Sequence, residues 1–430
     1  MSKDIYIGIL GFGNIGSYFY KTVKKNLKKI YLKTGKRPII RYISVKSPNK
    51  KRKIKIPRSQ LIKDPMRLVH DKKINIIVEV CGGSDGIAKK IIFAGLKNKK
   101  NVITANKALI AKHGNKLAEL AEKNNVNFEY EAAVAGGIPI IKSIKEGLIA
   151  NKIIKVYGIL NGTTNYILSN MEKYGKNFSQ VLLIAKKKGY AESDPKSDLN
   201  GTDSASKIKI LSSIAFNIKI SKNKILQEGI EKVNHVDLVH AKNLGYKIKL
   251  LAISEIINNK LLERVHPCLV LKNSYIANIN GILNAVVVDG FPVGKAVLQG
   301  EGAGPGPTTS SLISDLCSII KGDVKFPFGS SYLRRKNIKR FDFYKRSCSS
   351  YLRIELKDLP GVLSSITKIF SKNKISIKNL IQVPDKENNK ASIIIITHKN
   401  LEKRYKNLLK NLSKNKYVLK KPIFIRVENL

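Results

Sequence analysis

The sequence predicts an α/β protein of successive units, and three patterns carry that prediction. A strand-like run, Ile5 to Leu10, leads through Gly11-Phe12-Gly13-Asn14-Ile15-Gly16 into an amphipathic helix bearing Tyr18, Phe19, Val23 and Leu27. Apolar strand-like runs at Ile39 to Val45, Ile74 to Val80 and Asn101 to Thr104 then alternate with helical stretches. The tail from Ser349 to Leu430 repeats strand and helix in the order βαββαβ, which is the ferredoxin-like order.

In the first unit each glycine has a distinct reason. Gly11 permits the tight turn, Gly13 lets backbone approach a pyrophosphate, and Gly16 allows a helix to pack closely on a strand. The helix N-terminus adds amide donors and the positive end of its dipole. This strand, turn and helix order makes the first unit a Rossmann-like dinucleotide-binding domain. Lys46, Lys50, Lys51 and Arg52 follow the second strand, where an acidic residue clasps a ribose 2′-hydroxyl and basic residues accommodate a 2′-phosphate. NADP is thereby favoured over NAD. A helix from Gly86 to Lys97 separates the third and fourth strands.

The middle unit begins with an amphipathic helix predicted over Pro139 to Leu148, with proline in its first turn. A strand at Ile153 to Leu160 ends in Asn161-Gly162-Thr163-Thr164-Asn165, which opens another helix. Such a turn is either a simple N-cap or a seat for an anion such as a carboxylate. Thr202 to Phe216 carries Ile208, Leu211 and Ile214 at helical spacing, placing Asp203 and Lys207 on one face. Leu298 to Ser310 reads as a glycine-rich loop, Ser311 to Ile320 as a helix, and Lys321 to Ser347 as a polar, basic linker. In the tail, strands at Tyr351 to Leu356, Ile375 to Val383, Ala391 to Thr397 and Pro422 to Val427 interleave with helices from Gly361 and Leu401.

Composition bounds the function. With 430 residues and 43% hydrophobic content, the chain can build several cores. No apolar run approaches the roughly 20 residues that span a bilayer, so a soluble, cytoplasmic protein without a membrane partner is expected. Cys81, Cys268, Cys317 and Cys348 have no metal or redox spacing and are expected as free thiols. The net charge of +49 invites a nucleic-acid reading, but the lysines run through every element, so no specific nucleic-acid partner is expected.

The segment Gly189-Tyr190-Ala191-Glu192-Ser193-Asp194-Pro195, with Asp198, Gly201, Asp203 and Lys207 behind it, concentrates the chemistry. By spacing alone it is either a solvated loop with a surface ion pair or an acidic seat for a substrate ammonium beside a proton-transferring lysine. Two rival functions stay open: an aldehyde-oxidising dehydrogenase using Cys81 as nucleophile, and a non-catalytic sensor that holds nucleic acid.

Over essentially its whole length the sequence resembles homoserine dehydrogenases of the monofunctional type with a C-terminal ACT regulatory domain. The resemblance rests on the glycine fingerprint, Thr104-Ala105-Asn106-Lys107-Ala108-Leu109, Glu131-Ala132-Ala133-Val134-Ala135-Gly136-Gly137-Ile138-Pro139, and Gly158-Ile159-Leu160-Asn161-Gly162-Thr163-Thr164-Asn165-Tyr166. It implies an NAD(P)-binding domain over 1–135 with a return segment near 308–345, an α+β substrate and dimerisation domain over 136–307, and an ACT domain over 349–430. The implied reaction is reversible reduction of L-aspartate 4-semialdehyde to L-homoserine, on the route to threonine and methionine.

The resemblance also implies roles. Lys207 matches the acid/base lysine, Lys107 the second lysine between nicotinamide and substrate, and Asp203 orients Lys207. Glu192, supported by Asp198 and Tyr190, matches the seat of the substrate amino group, and the Gly162-Thr163 turn faces its carboxylate. Gly11, Phe12, Gly13, Asn14, Ile15, Gly16, Lys46, Thr104, Lys107 and Gly302 fall to the cofactor. Glu131, Val134, Gly136 and Ile138 match a monovalent cation site, typically sodium, built mainly from carbonyls. Asp358 and Gly361 fall in the loop that serves an amino-acid effector, with threonine expected, and a homodimer or homotetramer is implied. Two positions depart from the pattern: Glu301 stands before Gly302 where some members carry proline, and Lys46 where an arginine often reads the 2′-phosphate.

Overall fold

The computed structural model describes residues 4–322, 326–385 and 389–430. Parts of the expected units at 1–3, of the linker at 323–325 and of the tail at 386–388 lie outside the described residues.

Six strands form the first sheet: β1 (Asp4–Leu10), β2 (Arg37–Ser44), β3 (Leu61–Ile62), β4 (Ile74–Glu79), β5 (Asn101–Thr104) and β6 (Phe128–Glu129). They run parallel in the order β3-β2-β1-β4-β5-β6, the doubly wound dinucleotide-binding order. The order reverses between β1 and β4, so a crevice opens at their C-terminal ends, beside Gly11 and Cys81. The helices Asn14–Lys25 and Pro305–Lys321 pack on each other, and Phe19, Val23, Leu312 and Leu316 share one core with Ile7, Ile9 and Val78.

The second sheet holds the remaining strands. In the middle domain these are β7 (Lys152–Ile159), β8 (Leu226–Gln227), β9 (Tyr246–Ile257), β10 (Lys260–Leu271), β11 (Leu283–Phe291) and β12 (Gly294–Glu301). In the tail they are β13 (Ser347–Lys357), β14 (Ile377–Asp385), β15 (Lys390–Thr397), β16 (Asn400–Leu401) and β17 (Ile423–Val427). The main path is β12-β11-β7-β9-β10-β17-β13-β15-β14, with β8 on β10 and β16 on β13. The tail domain keeps its own core under the helices Val362–Lys372 and Glu402–Leu412, around Leu352, Ile366, Phe370, Ile395, Tyr405 and Leu408. It is nevertheless stitched to the middle domain, because β17 pairs in parallel with β10 at Cys268 with Arg426 and Leu269 with Val427.

Several expectations need correction. The glycine-rich loop expected over Leu298 to Ser310 is mostly regular: β12 runs to Glu301 and the next helix starts at Pro305. Pro305 and Pro307 lack amide hydrogens, so they sit without loss where a helix has orphan donors. The helix expected over Pro139 to Leu148 is present as one continuous segment from Ile140 to Gly147 behind Pro139, but it winds more widely from Ser143 on. The expected linker is threaded over both first domains, where Tyr130 donates its hydroxyl to the Pro327 carbonyl and Lys336 and Arg340 bridge to Ile218 and Leu261.

Candidate functional site

The cofactor turn is built as its glycines require. Gly11 has φ +99°, and a Cβ on Gly16 would stand 2.3 Å from the Gly11 carbonyl oxygen. A Cβ on Gly13 would meet nothing within 4 Å, so that face is open for a ligand. The helix Asn14–Lys25 has no side-chain cap and no acid in its first turn, leaving its first amides for phosphate oxygens. Phe12 packs edge-on against Tyr20 at 5.8 Å, and Ile15 packs on the core. These residues fit a dinucleotide. Lys46 is exposed beyond β2, whereas the Arg52 guanidinium donates to the carbonyls of Ser47, Pro48 and Lys50 and closes its own loop.

Two of the expected cofactor residues also have packing partners of their own. The Thr104 hydroxyl is buried and donates to Glu79 Oε2 at 2.5 Å, while Glu79 Oε1 accepts from the amides of Cys81 and Gly82. Its side chain therefore braces the ends of β4 and β5. Gly302 is buried where a Cβ would collide with Asn284, and its carbonyl lies against Gly136. Glu79 had no motif to announce it. Burial and Glu79 push the Cys81 thiol up to about 12, opposite to the needs of a nucleophile.

The lysine and carboxylate cluster joins two domains. Lys107 begins the helix Lys107–Lys123, whose N-cap Asn106 accepts from the Leu109 amide and donates to the Gly83 carbonyl. Asp203 and Lys207 lie one turn apart on the middle-domain helix Thr202–Ala215. Asp203 reaches Lys207 Nζ with Oδ2 at 2.7 Å and Lys107 Nζ with Oδ1 at 2.7 Å. Lys207 also donates to the Leu160 carbonyl at 2.6 Å, so one of its three protons has room for a substrate oxygen. The surface ion pair is thus excluded: the side chains of Asp203 and Lys207 are 4% and 8% exposed.

Asn161 ties this pair to the rest. As N-cap of the helix Gly162–Tyr174 it accepts from the Thr164 amide, and its Nδ2 donates to Asp198 Oδ1 at 2.8 Å and Asp203 Oδ2 at 3.0 Å. The motif containing Asn161 was visible in sequence, but its bond to two carboxylates about 40 residues on was not. The Thr163 hydroxyl donates to the Tyr190 carbonyl at 2.6 Å, so it anchors the acidic loop. Tyr190 packs on Tyr166 at 5.0 Å, and Glu192 is exposed in the loop beyond it.

Charge follows from these contacts. Burial alone would raise the Asp203 carboxyl, yet Lys207 and Lys107 hold it well below the usual carboxylate range. Burial lowers Lys207, with Asp203 opposing. Burial also pulls on Lys107, but Asp203 wins and raises it. Asp198 is raised, by burial first and by Asp203 next. The result is a fixed ammonium beside a second lysine whose proton is easier to lose, a pairing suited to a developing alkoxide.

Glu131 is buried, with both carboxylate oxygens accepting amides, from Ile141 and Lys142 at 2.8 Å each, and burial raises it to about 7. Gly136 and Ile138 carbonyls each accept one hydrogen bond, from Ser311 and Ile140, and keep a second lone pair. A separate group, His266, Cys268 and Glu428, gathers at the tail junction, but Arg264 and Arg346 pair with Glu428 and neutralise the carboxylate a dication needs. Asp358 accepts from Gln382 Nε2 at 3.1 Å beside a cavity of about 220 Å³ lined by Pro360, Gly361 and Leu363. Among the described residues no helix is long and apolar enough to cross a membrane.

Comparison with known proteins matches this geometry in three segments. The family model for the homoserine dehydrogenase NAD-binding domain covers residues 11–131, that for homoserine dehydrogenase residues 139–317, and that for the ACT domain residues 350–416. The chain is 37% identical to the homoserine dehydrogenase of Neisseria gonorrhoeae, over 100% of this chain and 99% of that one. It is also 37% identical to that of Helicobacter pylori, over 100% of both. Among solved structures, a homoserine dehydrogenase from Thiobacillus denitrificans superposes with a TM-score of 0.91 at 35% identity, over 99% of this chain and 98% of that chain.

Proposed function

The chain belongs to the homoserine dehydrogenase family, an NAD(P)-dependent oxidoreductase acting on a CH-OH group, and from that premise we propose which residues carry the reaction. The enzyme interconverts L-aspartate 4-semialdehyde and L-homoserine. The nicotinamide supplies or accepts the hydride. Lys207 donates its free N–H to the aldehyde oxygen, stabilises the charge that develops there, and hands over a proton to complete the alcohol. Lys107 supports the same oxygen from the cofactor side, and Asp203 keeps both ammonium groups aimed and charged. Asp198 and Glu192 receive the substrate ammonium, and the amides of Gly162 and Thr163 receive its carboxylate. The observation that carries this reading is the Asp203 carboxylate at 2.7 Å from two lysines of different domains. Following NADPH and NADH oxidation with the semialdehyde tests it: Lys207→Ala is expected to lose at least about 10²-fold in kcat. Near-normal turnover by that variant overturns the assignment.

The finer readings have their own support. NADP is favoured by exposed Lys46, and Lys46→Glu is expected to shift preference toward NADH. Backbone carbonyls of Glu131, Val134, Gly136 and Ile138 suit a monovalent cation such as sodium, and activity in sodium-free buffer checks it. Threonine is the proposed effector, received beside Asp358 and Gly361, where the N-terminus of the helix Val362–Lys372 meets the cavity. Absence of any threonine effect on activity counts against it. A homodimer or homotetramer is proposed, supported by exposed Phe291, Val293 and Val297 on and beside the edge strand β12.

A further inference from the structure

We propose that Gln227 is a positioning residue for this reaction, clipping the turn between Asp198 and Asp203, and that Arg426 of the C-terminal domain sets its place through Glu228. The proposal rests on the roles of Asp198, Asp203 and Lys207 given above.

The catalytic helix Thr202–Ala215 does not cap itself. Its N-cap is Gly201, with φ +84° and no side-chain acceptor. Support comes from a segment that no catalytic motif contains. Gln227 Nε2 donates to the Asn200 carbonyl at 3.0 Å and to Thr202 Oγ1 at 2.8 Å. Thr202 N in turn donates to Asn200 Oδ1 at 2.9 Å. Three residues further on, the Ile230 amide donates to the Leu199 carbonyl at 3.0 Å. Gly229 is wedged there: a Cβ on it would stand 2.2 Å from the Leu199 oxygen. Leu199, Asn200 and Thr202 are therefore held from outside, and residues 199–202 are the whole connection between Asp198 and Asp203.

What holds the holder is the C-terminal domain. Gln227 pairs with Val265 on β10, and the Glu228 amide donates to the Val265 carbonyl at 2.8 Å. The Glu228 carboxylate receives Arg426 Nη1 at 2.9 Å. Arg426 is only 6% exposed and is fixed by Glu402 of its own domain at 2.7 Å. Because β10 pairs with both β8 and β17, the clip and the C-terminal domain grip one strand at neighbouring registers. A small shift of β17 relative to β10 moves Glu228 and, with it, Gln227. This makes the C-terminal domain a structural support of the substrate seat, whatever ligand it binds.

Gln227 is exposed and acts only as a donor in these bonds, so the full-length enzyme can be varied without emptying a core. Gln227→Glu keeps the shape but sets a carboxylate against the Asn200 carbonyl, leaving only the Thr202 hydroxyl free to turn and donate; its KM for the semialdehyde is expected to rise about tenfold while the KM for NADPH stays within twofold. Gln227→Lys restores a donor and is expected to recover most of the loss. Glu228→Gln, which leaves Arg426 on Glu402, is expected to shift the same KM in the same direction by about threefold. Asp198→Asn and Lys207→Ala are measured beside them. If those two lose activity while Gln227→Glu keeps wild-type constants, or if Gln227→Lys fails to rescue, the positioning role is overturned. If Gln227→Glu behaves as expected but Glu228→Gln matches wild type, the link to the C-terminal domain is overturned. If Lys207→Ala and Asp198→Asn keep normal turnover, the underlying site reading has failed instead.

Discussion

Replacing Asp203 with asparagine separates charge from shape at the centre of the site. The carboxylate holds two ammonium groups at 2.7 Å each. Asparagine can accept from one lysine, but its NH₂ then faces the other. At an effective dielectric near 20, opposite charges 4 Å apart attract by about 4 kcal/mol, and removing one partner of a buried pair costs roughly 3–5 kcal/mol. Most of that falls on Lys207, because the Lys107 side chain is 43% exposed and water compensates its share. If about 3 kcal/mol is withdrawn from the protonated form of Lys207, its pKa falls by roughly two further units. Reduction of the semialdehyde at neutral pH is then expected to drop about 10²- to 10³-fold, with activity recovering toward lower pH as Lys207 regains its proton. The assay is NADPH oxidation from pH 6 to 9. Stability gives an independent reading. The folded-state pKa of Asp203 is depressed, so its contribution is present above the unfolded value near 3.9 and is lost as pH falls through the folded value. The melting-temperature gap between wild type and Asp203→Asn is thus expected to narrow below about pH 4, where Asp203 loses its charge, and to narrow also as pH rises past the lowered Lys207 pKa of the variant, where the buried amine is neutral. A variant with wild-type turnover and an unshifted pH profile refutes the argument.

Two glycines of one turn are expected to fail differently. Gly13→Ala meets no atom of the protein, so its melting temperature is expected to match wild type while NADPH affinity falls at least about tenfold. Gly16→Ala collides with the Gly11 carbonyl and is expected to lose both, as calorimetry and NADPH fluorescence titration would report. Lys249 is buried and, among the described residues, makes no direct ion pair; it is held by Asn165 Oδ1 and the Ile279 carbonyl, and burial lowers it to about 7. Its folded pKa lies below the unfolded one, so wild-type stability is expected to rise above pH 7 by roughly 1.4 kcal/mol per unit, ending near the unfolded value. Lys249→Met lacks that rise; parallel stability curves for the two proteins would refute it.

Features that rest on neighbours along the chain are legible without the folded structure. Gly11, Gly13 and Gly16 announce a phosphate turn because backbone conformation and a missing Cβ are local properties. The βαββαβ order and the one-turn spacing of Asp203 and Lys207 are legible because helices and strands impose short periods. The strands β9 and β10 are illegible in sequence for the opposite reason: their central residues are buried on both faces, from Ile248 to Ser254 and from Leu261 to Val270, so alternation vanishes. Tertiary structure alone decided that Asp203 serves Lys107 from another domain, that Asn161 bridges Asp198 and Asp203, and that Thr163 anchors Tyr190. It also decided that β17 continues the middle-domain sheet and brings Arg426 to Glu228. Such contacts join residues far apart in the chain. They arise from how finished elements pack and leave no period in the sequence to announce them.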